Sequence, residues 1–266
     1  MIETVTILGG KGKTGAPEPV PRVDLKMGDI LSIVGPTGCG KTTLINDIEL
    51  HANRDTQTDR QILTDGQSFP ANGISDPSKN PVALISQHTN FLSDLPVAEF
   101  LETHARIRGI ANPLETVEET VEFANRLTGE PIIVESAMTE LSGGQTRALL
   151  IADAVIIGNS PIILLDEIEN AGIHRTKALE LLKGYRKIFI FVTHDPRIAL
   201  LSDFRIVMRD GAMQKLIVTS QEEQGVAEEI RKLDDLLLDF RQRIRVGEEL
   251  DRMLVLRKLR ELGYLT

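Results

Sequence analysis

The segment Gly35-Pro36-Thr37-Gly38-Cys39-Gly40-Lys41-Thr42 has the residue types and spacing that can hold a phosphate group. Its glycines let the chain curl so that successive backbone N–H groups, and the start of a following helix, face one anion. Lys41 can then reach the β- and γ-phosphate oxygens of a nucleoside triphosphate, while Thr42 places its hydroxyl on Mg²⁺. With Thr43 counted as its last member, the segment predicts a binding site for a nucleotide and Mg²⁺.

Two acidic residues follow an apolar run further along the chain. Ile162-Ile163-Leu164-Leu165 is typical of a buried strand, and Asp166 and Glu167 end it. Beside a phosphate loop, the first carboxylate can hold Mg²⁺ and the second can polarise the attacking water. Because many ordinary strands also end in acids, this assignment depends on the pairing with residues 35–42.

A second Gly-Lys-Thr sequence, Gly12-Lys13-Thr14, has Ile7 where the first glycine of the motif is required. Residues 9–21 are rich in Gly, Lys and Pro and are expected to form a loop, and we interpret residues 10–15 within it, which contain this second sequence, as solvated. Cys39 takes a variable position of the phosphate loop. The start of a helix favours a reactive thiol, so redox sensing is the alternative to simple space filling, which we favour.

Short apolar runs alternate with helix-length amphipathic segments, which predicts an α/β fold. Residues from about 91 to 140 are expected to be mainly helical. After Thr219, apolar residues at heptad-like spacing with a break at Gly247 predict a helical hairpin. The predicted strands are Thr4–Leu8, Ile30–Val34, Val82–Ser86, Ile162–Leu165, Ile188–Val192 and Arg205–Met208, the last entering a hairpin at Asp210-Gly211.

Composition excludes several classes of protein. The 266 residues, 41% of them hydrophobic, suffice for one substantial core, and the net charge of −9 argues against a nucleic-acid partner.

No apolar run approaches the roughly 20 residues that cross a bilayer, and no secretory signal is recognisable, so a cytoplasmic location is expected. The single cysteine excludes an internal disulfide. The basic residues near the C-terminus are matched by acids, which predicts a salt-bridged solvated face.

The segment Leu141-Ser142-Gly143-Gly144-Gln145 precedes the Asp166-Glu167 strand. It offers a serine side chain and glycine N–H groups at a helix start, which is an anion site. In order and placement it resembles the signature motif of the ATP-binding cassette (ABC) ATPases, where this motif contacts the γ-phosphate of ATP held by the opposite subunit. The resemblance implies that Ser142, Gly143, Gly144 and Gln145 bind ATP and that a second cassette, most simply in a homodimer, completes each site.

Two further residues fit the resemblance, which covers residues from about 4 to 218. Gln87 matches the Q-loop glutamine, which in the family contacts Mg²⁺ and the attacking water. His194, in Val192-Thr193-His194-Asp195, matches the switch histidine that contacts the γ-phosphate. The family therefore implies an ATP hydrolase with Glu167, His194 and Gln87 as catalytic residues, and with Thr42, Gln87 and Asp166 as Mg²⁺ ligands.

Two departures from the family pattern are visible. After Glu167 the chain has Ile168-Glu169-Asn170-Ala171-Gly172-Ile173, where the family usually has Pro and then Ser-Ala-Leu-Asp, so we expect communication across the dimer to be altered. No aromatic residue precedes Phe69, so the aromatic that usually stacks on adenine is missing. Base selectivity is consequently less well specified than phosphate binding.

The resemblance also implies the architecture: a P-loop NTPase fold, with a RecA-like core around a mixed sheet, an ABC helical subdomain and a C-terminal helical hairpin. The predicted boundaries are residues 1–88 and 141–219 for the α/β core, 89–140 for the helical subdomain and 220–266 for the C-terminal extension.

Two functions are consistent with this interpretation of the sequence. The favoured one is the nucleotide-binding subunit of a multi-component transporter, with a separate membrane permease as partner and a location at the inner face of the membrane. Its support is the segment from Asp94 to Phe100, which resembles the region that transport cassettes present to a permease. The alternative is a stand-alone soluble ABC ATPase that remodels or assembles a protein, supported by both departures and by the C-terminal helices.

Overall fold

The computed structural model describes residues 2–69, 80–86, 89–91, 93–167 and 175–265, with the backbone alone at 175–177. The chain divides into two compact units, Met1–Val218 and Thr219–Thr266. The strands are β1 (Thr4–Leu8), β2 (Arg22–Lys26), β3 (Ile30–Val34), β4 (Gln61–Thr64), β5 (Gln67–Ser68), β6 (Val82–Ile85), β7 (Ile162–Asp166), β8 (Ile188–Val192), β9 (Phe204–Arg209) and β10 (Ala212–Val218). The helices are α1 (Lys41–Glu49), α2 (Val97–Ile107), α3 (Pro113–Leu127), α4 (Gly143–Val155), α5 (Arg175–Lys183), α6 (Pro196–Leu201), α7 (Gln221–Arg245) and α8 (Arg252–Glu261).

The larger sheet of the described residues has the order β10-β9-β3-β8-β7-β6 and is parallel except for β10. Both faces of its central strands are covered. Along β8, Phe189 and Phe191 enter one hydrophobic cluster, while Ile188, Ile190 and Val192 enter another. Burial on both faces explains why these strands are continuous apolar runs. The predicted α/β fold is confirmed, as is every predicted strand to within one residue at either end.

The smaller sheet has the order β2-β1-β4-β5 and is antiparallel. In β2 the residues alternate between exposed and buried, with Val23 and Leu25 pointing into the core. β2, β4 and β5 were not predicted, because β4 and β5 are short and β2 alternates polar and apolar residues instead of forming an apolar run. β1 pairs with both β2 and β4, so residues 9–21, which follow it, start from a fixed strand end.

The stretch from about 91 to 140 is less helical than predicted. Helices α2 and α3 lie in it, but residues 128–137 are not helical. Two carbonyl groups of this segment accept hydrogen bonds from the start of α2: Ser136 O from Val97 N and Val134 O from Ala98 N, both at 3.0 Å. The first amides of a helix lack partners within it, so this segment satisfies the start of α2. α4 packs against α3 and contributes to the same hydrophobic cluster.

The unit of residues 219–266 contains the predicted helical hairpin. Ser220 caps α7 and Asp251 caps α8, where its carboxylate accepts from Leu254 N at 2.7 Å. Lys258 lies 3.7 Å from Asp239, and the Tyr264 hydroxyl donates to Glu229 at 2.8 Å, which joins the two helices. The predicted salt-bridged face is confirmed, for instance by Arg243, which pairs with Asp239 and Glu248.

None of the helices in the described ranges is both long and apolar enough to cross a membrane.

Candidate nucleotide-binding site

The phosphate loop joins β3 to α1 in the strand-loop-helix order that the sequence predicted. Gly35 has a φ of +150°, and a Cβ there would lie 2.4 Å from the carbonyl oxygen of Met208. Gly40 has a φ of +100° at the N-cap of α1. Glycine is therefore required at both positions, because a side chain would meet backbone at the first and be strained at the second.

Lys41 is folded back across this loop. Its ammonium donates to Gly35 O at 2.9 Å and to Pro36 O at 3.3 Å, and the residue is only 7% exposed. Thr42 and Thr43, at the start of α1, are exposed. The loop thus holds a positive charge inside its curve and hydroxyls at its rim. Cys39 is buried in a hydrophobic cluster beneath, which supports the space-filling role over a redox role.

The predicted acidic pair and the predicted histidine lie together at the carboxyl edge of the large sheet. β7 and β8 are neighbouring parallel strands in which Asp166 is opposite Val192. Glu167 N donates to Val192 O at 3.0 Å, and Glu167 has a φ of +49°. As a result, Glu167 Oε1 lies 3.6 Å from His194 Nε2, with both side chains partly exposed. A carboxylate beside an imidazole at a strand edge is suited to proton transfer.

The segment that carries His194 is fixed to the strand leading into the phosphate loop. Thr193 N donates to Ile33 O at 3.3 Å. Asp195 caps α6 by accepting from Arg197 N at 2.8 Å. A cavity of about 490 Å³ opens here, with Gly35, Pro36, His194 and Arg205 among its lining residues. The structure therefore brings the phosphate loop, Glu167 and His194 to one edge of the sheet.

Residues 141–145 form a separate part of the candidate site. Ser142 is the N-cap of α4: its hydroxyl accepts from Gln145 N at 3.3 Å, and its own N–H donates to Gln145 Oε1 at 2.9 Å. Gln145 also donates to Pro131 O at 2.9 Å. Ser142 and Gly143 are exposed. These hydrogen bonds stay within the segment and its neighbour, and they leave the Ser142-Gly143 turn at the surface.

Gln87 and residues 168–174 lie outside the described residues, so their predicted roles stay predictions. The residue before Gln87 does have a described contact that the sequence did not suggest. Arg147, on α4, donates to Ser86 O at 2.9 Å, and burial lowers the pKa of Arg147. The helix that begins at Ser142 is thereby joined to the end of β6.

Sequence reasoning also missed what the loop of residues 9–21 does. Lys13 and Thr14 of the second Gly-Lys-Thr sequence are exposed, as predicted, but the loop also contacts the site, because Lys13 Nζ donates to Gly38 O of the phosphate loop at 2.8 Å. Arg60 is fully buried against Glu18 of the same loop. The composition of residues 9–21 indicated a loop, but nothing in it marked Glu18 as buried.

The residues present fit a magnesium ion. Thr42 stands exposed at the start of α1, and Asp166 ends β7 at the same edge of the sheet. One hydroxyl and one carboxylate suit Mg²⁺, which keeps several waters and takes phosphate oxygens as further ligands. Over the described ranges, no group of three or more His, Cys, Asp or Glu could hold a metal by itself.

Comparison of the sequence with known families gives one matching description, "ABC transporter", over residues 21–170. An uncharacterised ABC transporter ATP-binding protein of Methanocaldococcus jannaschii is 51% identical over 249 residues, which are 94% of this chain and 95% of that protein. The spermidine/putrescine import ATP-binding protein PotA of Bacteroides fragilis is 30% identical over 202 residues. This alignment takes in 73% of the present chain but 42% of PotA.

Comparison with solved structures gives the same fold. The ATP-binding cassette MJ0796, in a dimeric post-hydrolysis state bound to ADP and Pi, matches with a TM-score of 0.61 and 23% identity. The match covers 81% of this chain and 99% of that one.

Proposed function

Since this chain belongs to the ABC transporter family and is an ABC-type ATPase, we propose that two copies bind MgATP between them in a head-to-tail dimer. The phosphate loop of each copy would face the Ser142-Gly143-Gly144 turn of the other. Hydrolysis would then let the dimer open and change the conformation of a bound partner.

One observation carries this proposal. The phosphate loop, Glu167 and His194 lie at one sheet edge, whereas Ser142 and Gly143 are exposed on a different element, where the Ser142 hydroxyl accepts from Gln145 N of the same segment. A helix start with exposed N–H groups is an anion site. A second copy can present that site to a phosphate without any rearrangement of α4.

The roles follow from position. Lys41 and the loop amides hold the β- and γ-phosphates, and the Lys41 ammonium exchanges its contacts with Gly35 and Pro36 for phosphate oxygens. Thr42 and Asp166 would hold Mg²⁺, and the bound ion would neutralise charge that develops on the phosphate oxygens. Glu167 takes a proton from the attacking water as the water oxygen bonds to the γ-phosphorus, while the bond from that phosphorus to the β–γ bridging oxygen breaks and ADP leaves. His194 donates a hydrogen bond to the γ-phosphate.

The partner we propose is a membrane permease at the cytoplasmic face. The names of the relatives support it, since one is an import ATP-binding protein and another an ABC transporter ATP-binding protein. A soluble remodelling ATPase is the alternative. Purification of the native complex from detergent-solubilised membranes decides between them: a co-purifying multi-spanning protein supports transport, and only soluble partners would count against it.

Complementation tests the composite site directly. The variant K41A lacks the phosphate-loop cation. In S142D an Asp still caps α4 but brings negative charge against the phosphate. We expect each variant alone to be inactive. A mixture should recover ATPase activity, because one site of each mixed dimer has an intact loop and an intact turn. Random pairing limits the recovery to about a quarter of parental activity.

The double variant K41A/S142D is the matched control, since adding it to either single variant restores no intact site. Activity is measured as phosphate release at fixed total protein concentration. No recovery on mixing K41A with S142D, although an affinity-tagged K41A chain retains untagged S142D, would contradict the proposal. An S142D chain with parental turnover on its own would do the same.

A further inference from the structure

The loop of residues 9–21, which joins β1 to β2, has a defined shape. Gly12 N donates to Ala16 O and Glu18 N to Gly10 O, both at 3.0 Å. Lys11 forms a salt bridge of 2.6 Å with Asp59. A loop fixed by its own hydrogen bonds loses little entropy when it meets a ligand.

A buried ionic cluster anchors this loop to the phosphate-loop helix. Arg60 bonds Glu18 at 2.6 Å and Asp47 of α1 at 2.9 Å, and the three side chains are between 0% and 4% exposed. Glu18 also accepts from Met213 N at 2.6 Å. Removing one member of such a cluster leaves an uncompensated buried charge, so its geometry is held firmly. Loop and α1 therefore keep one relative position.

Lys13 is the residue that this arrangement brings to the nucleotide site. Its backbone N–H donates to Asp210 O at 2.9 Å, in the β9–β10 turn, and its ammonium donates to Gly38 O at 2.8 Å. Its side chain is exposed. An ammonium carries three donors, and within the described part of the chain Lys13 uses one of them, on Gly38.

We propose that Lys13 is a nucleotide-binding residue that recognises the phosphates rather than the base. This rests on the proposed function of the phosphate loop. An ammonium at the rim of that loop attracts anionic oxygens, which every nucleoside triphosphate carries. No aromatic side chain stands before Phe69 to stack on a base. The site therefore binds the purine nucleoside triphosphates with similar affinity, and Lys13 increases the affinity for each of them by the same factor.

The experiment compares dissociation constants of MgATP and MgGTP for the full chain and four variants. K13M is expected to weaken both nucleotides by a similar factor, about five- to tenfold. K13R should retain most of the affinity. K11M, in the same loop, is the matched control and should leave both constants within about twofold of the parent. Added salt should reduce the difference in dissociation constant between the parent and K13M, because salt screens the exposed Lys13 charge.

K13Q distinguishes direct binding of the phosphates from a role in holding the phosphate loop in shape. Its amide can still donate a hydrogen bond to Gly38 O, but it carries no charge. Direct phosphate recognition makes K13Q as weak as K13M. Parental affinity in K13Q or K13M, or a loss confined to MgATP, would overturn the inference. So would a parent that prefers MgATP over MgGTP more than about tenfold. A parent that binds neither nucleotide would instead refute the proposed function.

Discussion

Glu167 Oε1 lies 3.6 Å from His194 Nε2, across the ends of two adjacent parallel strands. The contact arises from topology, because Asp166 is in register with Val192 and each strand continues by one or two residues to its functional side chain. Glu167 is held at this edge by the hydrogen bond from its N–H to Val192 O. A base and a phosphate-binding imidazole placed so close should act as one unit.

E167Q is expected to lower kcat about 10²- to 10⁴-fold while MgATP binding persists, because it removes a positioned general base. H194A should lower kcat about 10²- to 10³-fold, because it removes a hydrogen bond to the γ-phosphate in the transition state. The double variant should be no slower than the worse single variant, since residues that act as a unit are not additive. Single-turnover ATP hydrolysis measures the rate for each variant, and a separate assay measures its affinity for MgATP. Parental turnover in E167Q would show that Glu167 is not the base.

Gly35 and Gly38 should respond differently to alanine. A Cβ at Gly35 would lie 2.4 Å from Met208 O, whereas one at Gly38, with a φ of +76°, meets nothing within 4 Å. G38A therefore has only left-handed strain, about 1–2 kcal/mol, and should weaken MgATP roughly tenfold. G35A should abolish measurable binding. Displacement of a fluorescent nucleotide compares the two, and equal affinities would contradict the steric argument.

Arg60 should be important for stability. Burial alone would lower the pKa of Arg60, but Glu18 and Asp47 outweigh it and raise that pKa. R60M leaves two buried carboxylates without their cation and should lower the free energy of unfolding by about 3–5 kcal/mol. R22M, which breaks an exposed pair with Asp24, should leave the free energy of unfolding close to that of the parent. Urea denaturation followed by circular dichroism suits this chain, which lacks tryptophan.

Lys187 should make stability depend on pH in alkaline solution. Burial lowers the pKa of Lys187 to about 8, although its ammonium bonds Asn159 at 2.9 Å and Ser160 O at 3.0 Å. Between pH 8 and the unfolded value near 10.4, the unfolded chain binds more protons. Stability of the parent should therefore rise with pH in this window, on the order of 1–3 kcal/mol relative to K187M. The exposed Lys183 provides the control K183M, whose profile should parallel the parent.

Sequence patterns were sufficient where a strand is buried on both faces, as β3, β7 and β8 are, because each is then an uninterrupted apolar run. The assignment to the ABC family, drawn from residues 141–145 and the phosphate loop, is confirmed by the comparisons. β2 could have been found from its alternation, with Val23 and Leu25 flanked by polar residues. β4 and β5 are too short to give a period.

Contacts between distant polar residues could not be predicted. Arg60 and Glu18 stand in polar stretches, and their burial follows from the way β4 and the 9–21 loop close over α1. The contact of Lys13 with Gly38 depends on the same closure. Local propensity carries no information about such pairings, which arise only when the whole chain is packed.

The Lys41 ammonium already occupies the curve of its loop through Gly35 O and Pro36 O. When a nucleotide enters, the backbone of the loop keeps its shape and this one side chain exchanges its carbonyl contacts for phosphate oxygens, so capture of the nucleotide should be a rapid bimolecular event. The slower step is then the association of two nucleotide-bound copies, and its rate is proportional to the square of their concentration. Specific activity at saturating nucleotide should accordingly climb as the protein is made more concentrated, until nearly every copy is paired.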